Sequence, residues 1–157
     1  MILGIDPGPE QIGFCWYDAG KPGMPGILSV PEFLSLMREG VPLNSVAVIE
    51  WIECYGMAVG AEVFQTCAIV GRLQEIFDRR GVPHILMPRR IIKQHLCHGA
   101  RATDANIRQA LIDRFGPGRE KAIGTKKKPG PLYGVKAHAW AALALAVTQA
   151  DREAAQE

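Results

Sequence analysis

The sequence lacks the features that mark secreted and membrane-spanning proteins. No apolar run reaches the roughly 18 residues that a transmembrane helix needs. The first residues lead into an acid at Asp6 and have no basic start of the kind that opens a signal peptide. We therefore expect a protein of the cytoplasm that associates with no membrane.

Closely spaced cysteines, linkers and repeats are also missing. The four cysteines, at positions 15, 54, 67 and 97, form no C-x-x-C pair, a pattern that predicts reduced thiols and not a disulfide scaffold. No Ser/Gly-rich linker divides the chain, and no segment repeats. With 157 residues and 48% hydrophobic content, the sequence predicts one domain with its own core over residues 1–157.

Acids are scarce in one third of the chain, although the net charge is only +2. Residues 79–136 contain fourteen lysines and arginines against three acids, and the remainder of the chain is acidic. Basic residues concentrated in this way are typical of a surface that binds the phosphates of a nucleic acid. Basic side chains that only keep the surface solvated are the alternative.

Hydrophobic periodicity predicts alternating strands and helices. Short apolar or β-branched runs indicate strands near residues 1–6, 12–17, 27–30, 45–50 and 82–87. Helices are indicated near residues 31–38, 61–79, 89–97, 103–115 and 138–146, with a Gly/Pro/Lys loop at 116–134. The expected fold class is α/β, with a mixed five-stranded sheet (three antiparallel strands plus two parallel) flanked by helices.

Two carboxylates stand at the ends of predicted buried strands. Alternation along the first strand places Asp6 on the same face as Gly4, and Glu50 ends the fourth strand. If these strands are parallel neighbours about 4.8 Å apart, the two acids converge, and a shared Mg²⁺ or Mn²⁺ ion would offset their repulsion. Glu53 competes with Glu50 for this role, and acids at strand ends can also simply face water.

Several ordered motifs resemble the RuvC-type Holliday junction resolvases of the RNase H-like superfamily. They are residues 4–8 (GIDPG) with 13–16 (GFCW), 47–50 (AVIE), 90–94 (RIIKQ), and the alanine-rich 139–146 (AWAALALA). The loop at 124–134 (GTKKKPGPLYG) is similar to a phage-type branch. The resemblance implies an RNase H-like fold and a protein of a bacterial or phage-infected cell.

The resemblance also implies a site. A homodimeric endonuclease would nick branched DNA with two Mg²⁺ or Mn²⁺ ions per active site and no small-molecule cofactor. Asp6 and Glu50 correspond to the family's first two metal-binding acids. The family's last helix carries an Asp or His and then an Asp three residues later, where this chain has His138 and Ala141.

His138 and Ala141 leave alternatives open. Residues three apart share a helix face, so His138 is either a general acid/base or metal ligand, or a core histidine bonded to backbone. Ala141 is an engineered substitution, a natural feature of this branch, or a loss that another acid compensates. Asp104 is the tentative replacement metal ligand, although its family position often holds a lysine. Stabilising the start of its own helix is the alternative for Asp104.

The basic residues complete the predicted function. Arg90, Lys93, Arg101, Lys126, Lys127, Lys128 and Lys136 are expected to contact DNA, chiefly at phosphates. The long helix near 60–79 is an expected element of a twofold dimer interface. Two alternatives remain: a catalytically silent module that binds branched DNA, and an actin-like ATPase, for whose two lobes 157 residues are too few.

Overall fold

Five strands form one mixed sheet in the computed structural model, which describes residues 1–54 and 56–156. The strands are β1 (Ile2–Pro7), β2 (Gln11–Asp18), β3 (Lys21–Ser29), β4 (Val46–Trp51) and β5 (His84–Pro88). They lie in the order β3-β2-β1-β4-β5. β1, β2 and β3 pair antiparallel, whereas β4 is parallel to both β1 and β5, so the predicted sheet is confirmed.

Six helices accompany the sheet within the described residues. They are α1 (Val30–Glu39), α2 (Ala61–Arg80), α3 (Arg89–Cys97), α4 (Asp104–Phe115), α5 (Arg119–Ala122) and α6 (Ala139–Ala154). The predicted loop at 116–134 therefore contains one short helix, and the last helix extends eight residues beyond its predicted end. None of the helices in the described part of the chain has the length and apolar character to cross a bilayer.

The predicted third strand was too short. β3 begins at Lys21, six residues before the predicted strand. The prediction missed these residues because prolines and glycines among them, at positions 22, 23, 25 and 26, indicate a turn from sequence alone. Proline is tolerated at a sheet edge, where its missing N–H removes no ladder bond, and β3 is an edge strand.

Each face of the sheet carries its own hydrophobic core. One core packs α1 and α2 against residues such as Leu3, Ile5 and Ile49, and the other packs α6 with α3 and α4. The helix α6 approaches β1 closely, because a Cβ added to Gly4 would lie 1.8 Å from the carbonyl oxygen of Ala142. Small residues on both elements thus fix the distance between α6 and the sheet.

Three helices are joined by an ion cluster at their C-terminal halves. Asp151 of α6 accepts two hydrogen bonds from Arg114 of α4, each 2.6 Å long, and lies 2.7 Å from His95 Nε2 of α3. Burial alone would raise the pKa of Asp151, but the bonds from Arg114 and His95 outweigh burial and lower that pKa. We call these three residues the helix clamp.

Candidate active site

The ends of β1 and β4 bring two carboxylates together. Ile5 pairs with Ile49 in parallel register, so Asp6 and Glu50 follow side by side. Burial, a hydrogen bond to Asp6 and the Asp6 charge raise the pKa of Glu50 to about 7, although Arg89 opposes this rise. Two negative charges at this place are therefore unfavourable, and a bound cation would stabilise them.

His138 joins this pair from the start of α6. Its Nδ1 lies 2.9 Å from Asp6 Oδ2, and its side chain is 54% exposed. Gly13, the cross-strand partner of Asp6, makes this approach possible, since a Cβ there would lie 2.5 Å from the Cβ of His138. The histidine is thus held against a carboxylate while it remains open to solvent, and it is not a buried core residue.

Arg89 connects Glu50 to a third acid. The guanidinium donates from Nη1 to Glu50 Oε1 at 2.7 Å and from Nη2 to Asp104 Oδ1. Burial disfavours the charge of Arg89, but the two carboxylates raise its pKa above the ordinary value. We call Asp6, Glu50, Asp104, Arg89 and His138 the acidic site.

A cavity of about 500 Å³ opens at the acidic site. Asp6, Asp104, Arg89 and His138 share its lining with Ile92, Ile107, Arg108, Ala137, Trp140, Ala141 and Ala144. The helices α3, α4 and α6 all begin at this cavity, at Arg89, Asp104 and just after His138. Because a helix N-terminus carries partial positive charge, these three helix starts offset part of the negative charge of the acids at the cavity.

The donor chemistry suits a hard divalent cation. Asp6, Glu50 and Asp104 offer carboxylate oxygens and His138 a ring nitrogen, a set that Mg²⁺ or Mn²⁺ accepts. The raised pKa of Glu50 is the expected response of a buried acid pair that lacks sufficient positive charge. In residues 1–54 and 56–156, however, no three His, Cys, Asp or Glu side chains surround one point. A metal would therefore need the carboxylates to turn toward it.

No model of a known protein family matches the chain, and no curated protein sequence does. Solved structures of RuvC from Thermus thermophilus do match. One is 19% identical with a TM-score of 0.69 and covers 99% of this chain and 96% of that one. A second, in complex with a Holliday junction substrate, is 18% identical with the same TM-score, covering 98% and 94%.

The chain has the fold of RuvC. The prediction of an RNase H-like sheet flanked by helices is thereby confirmed for nearly the whole chain. At this level of identity the likeness establishes the fold alone, so roles of individual side chains depend on the contacts in this structure.

On this RuvC fold, the predicted acids and histidine converge. Asp6, Glu50 and His138 form a continuous chain of contacts. Asp104 lies at the rim of the cavity with 76% of its side chain exposed, and other residues form the buried face of α4. Ile107 and Leu111 form that face, and Asp104, as the first residue of the helix, pairs with Arg89. Ala141 lines the cavity.

The other predicted residues lie around the RuvC-like core. Glu53, the competitor of Glu50, is paired with Arg90 at 2.7 Å. Lys126, Lys127 and Lys128 are exposed on a turn closed by a bridge between Gly124 and Pro129. Lys136 and Arg101 are exposed, and Lys93 is half-buried on α3. Their contact with DNA stays a prediction.

Arg89 is the site residue that sequence reasoning missed. It directly follows β5, whose end lies beside that of β4, so a sheet-order prediction could have placed it near Glu50. Arg108 was missed as well, and its guanidinium lies 4.6 Å from the ring centroid of Trp140 on the cavity wall. No periodic pattern marks the first residue of a helix as facing a site.

Proposed function

We propose that this protein is a metal-dependent, structure-selective endonuclease that nicks branched DNA such as Holliday junctions. The observation that carries the proposal is the convergence of Asp6, Glu50 and His138 at the ends of two parallel strands. The RuvC fold adds support, because one matching RuvC structure is in complex with a Holliday junction substrate.

The acidic residues would hold and orient the cation. Asp6 and Glu50 supply oxygen ligands, and His138 or Asp104 would complete the donor set for Mg²⁺ or Mn²⁺. When bound, one or two such ions lower the pKa of a water molecule and stabilise charge on the leaving oxygen of a phosphodiester. Because Glu50 is buried, its carboxylate oxygens would be held in one place as ligands.

His138 is suited to move a proton. Its Nδ1 contacts Asp6, and its exposed ring faces the cavity where an attacking water would stand. An imidazole nitrogen can act as a general base, so the ring can accept a proton from this water and return it to solvent. Asp6 would orient the ring by its hydrogen bond.

DNA binding would use the surrounding positive charge. The starts of α3, α4 and α6 border the cavity, and the exposed Lys126, Lys127, Lys128 and Lys136 lie in the segment that leads to α6. A four-way junction presents strands to be cut in symmetric pairs, so the proposed enzyme is a twofold homodimer with α2 in its interface. Phe64 supports this role for α2 because its side chain is 65% exposed on that helix.

A silent junction-binding module is the second candidate. Ala141 supplies no ligand, and Arg89 already pairs with Glu50, so the site holds fewer oxygen donors for metal than its acid count suggests. In this case DNA would bind through the basic surface without being cut.

A labelled four-way junction distinguishes these functions. With Mg²⁺ or Mn²⁺ present, we expect symmetric nicks near the branch point, no nicks in linear duplex, and no reaction with a chelator. Junction binding without nicks at every metal concentration would establish the silent module instead. Absence of junction binding at physiological salt would contradict both candidates.

A further inference from the structure

Arg89 supplies positive charge beside Glu50, as a bound cation would. It is a permanent positive charge 2.7 Å from Glu50, one of the two carboxylates at the strand ends. The side chain of Glu50 is only 11% exposed, so water weakens this pair less than it weakens a surface pair. A divalent ion that takes Oε1 of Glu50 as a ligand must therefore displace this guanidinium.

Asp104 holds Arg89 in that position. The guanidinium donates from two different nitrogens, Nη1 to Glu50 and Nη2 to Asp104, and it thereby bridges β4 and the first residue of α4. A planar guanidinium that is bonded to two carboxylates is held more rigidly than one that is bonded to a single carboxylate. Asp104 is therefore an anchor for the arginine, in addition to a charge near the cavity.

We infer that Arg89 is an intramolecular competitor for the metal: it holds the Glu50 carboxylate until a divalent cation, helped by DNA, replaces it. DNA helps because a phosphate offers the released guanidinium a new bidentate partner beside the same cavity. The inference depends on the proposed metal site and adds to it a positioning residue that sets how tightly metal binds without DNA.

The test measures metal binding and not cleavage. Mn²⁺ alone is titrated into the wild type and Arg89→Met, and the free ion is followed by electron paramagnetic resonance. Removing a positive charge next to a ligand carboxylate should tighten Mn²⁺ binding by about tenfold or more. Arg89→Lys keeps the positive charge but loses the two-pronged guanidinium. Its affinity for Mn²⁺ should therefore lie between those of the wild type and Arg89→Met.

Arg90→Met is the matched control. Arg90 is the next residue of α3 and is also paired with a glutamate, Glu53, at 2.7 Å. Its removal deletes the same charge from the same helix without touching Glu50, so Mn²⁺ affinity in the absence of DNA should stay within about twofold of the wild type. Asp6→Asn combined with Arg89→Met should abolish the tightening, which would assign it to this site.

The possible results separate the inference from the proposed function. Equal or weaker Mn²⁺ binding by Arg89→Met, in a protein that nicks junctions, overturns the role of Arg89 alone. No saturable Mn²⁺ binding by any variant, with no nicking, overturns the metal site and the inference together. If Arg89→Met does not fold by circular dichroism, Arg89→Lys decides, and an affinity equal to that of the wild type would count against competition.

Discussion

The acidic site and the helix clamp are built on the same three helices and differ in their balance of charge. α3, α4 and α6 each contribute one residue near their start to the acidic site and one in their last turns to the clamp. In the clamp, one carboxylate faces two basic groups, and the pKa of Asp151 is lowered. In the acidic site, three carboxylates share one arginine and one histidine, and the pKa of Glu50 is raised.

This contrast separates a stabilising cluster from a functional one. A cluster in which the carboxylate already has basic partners needs no ligand to offset its charge. A cluster with excess negative charge beside an open cavity costs stability until a cation binds. The clamp therefore holds the helices together, and the acidic site is where we expect chemistry.

The largest expected difference concerns catalysis. Asp6→Asn should reduce junction nicking by about a thousandfold, because it removes a metal ligand and the hydrogen-bond partner of His138. Junction binding should survive, since the lysines and arginines expected to contact DNA are unchanged. Gel-shift and cleavage assays on one preparation measure both quantities, and unchanged nicking by Asp6→Asn would refute the site assignment.

The pH dependence of stability should have opposite signs in the two clusters. The folded-state pKa of Glu50 is about 7, above its unfolded value. The contribution of Glu50 to the free energy of unfolding is therefore present at low pH and is lost as pH rises through about 7. We expect a loss of roughly 2 to 3 kcal/mol in the metal-free protein between about pH 5 and pH 8. Urea unfolding measures this loss, and Glu50→Gln should remove it.

The lowered pKa of Asp151 works in the other direction. Its stabilisation is present above the ordinary pKa of an aspartate and is lost as pH falls through the lower folded value. Asp151→Asn should cost about 2 kcal/mol at neutral pH, since two charge-assisted bonds from Arg114 are weakened. The specific rate of nicking should be unchanged. Glu75→Gln, from the exposed pair with Arg79, is the control and should cost less than about 0.5 kcal/mol.

Gly13→Ala tests how the acidic site is assembled. The new Cβ would lie 2.5 Å from His138, so the histidine must move away from Asp6, and we expect nicking to fall by about tenfold. Gly40→Ala adds the same methyl group at the end of α1 with nothing within 4 Å and should leave nicking as it is. Full activity of Gly13→Ala would show that the position of His138 does not matter.

Much of the fold could be predicted from local patterns. The strand-end positions of Asp6 and Glu50 followed from apolar runs and from alternation, and the structure confirms the condition that their strands are parallel neighbours. His138 was placed near them only through the resemblance of its helix, because no local pattern connects residues 6 and 138. The prediction made the edge strand β3 too short, because whether prolines and glycines can lie in a strand depends on its place in the sheet.

The arginine-mediated contacts could not be predicted in the same way. Arg89 meets Glu50 and Asp104 across 39 and 15 residues, and Arg114 meets Asp151 across 37. A long side chain can pair with any of several acids within its reach. Which acid it pairs with depends on how the helices pack, and local sequence patterns do not specify that packing. The charge excess of residues 79–136 was visible, but the division of its arginines between clamp, site and surface was not.

Anomalous diffraction from a crystal containing Mn²⁺ tests the central claim most directly. We predict a manganese peak within coordination distance of Asp6 and Glu50, with Arg89 moved away from Glu50, and no peak at Asp151. A peak confined to other residues, or no peak at the acidic site at saturating Mn²⁺, would contradict the assignment of this site as the metal centre of a nuclease.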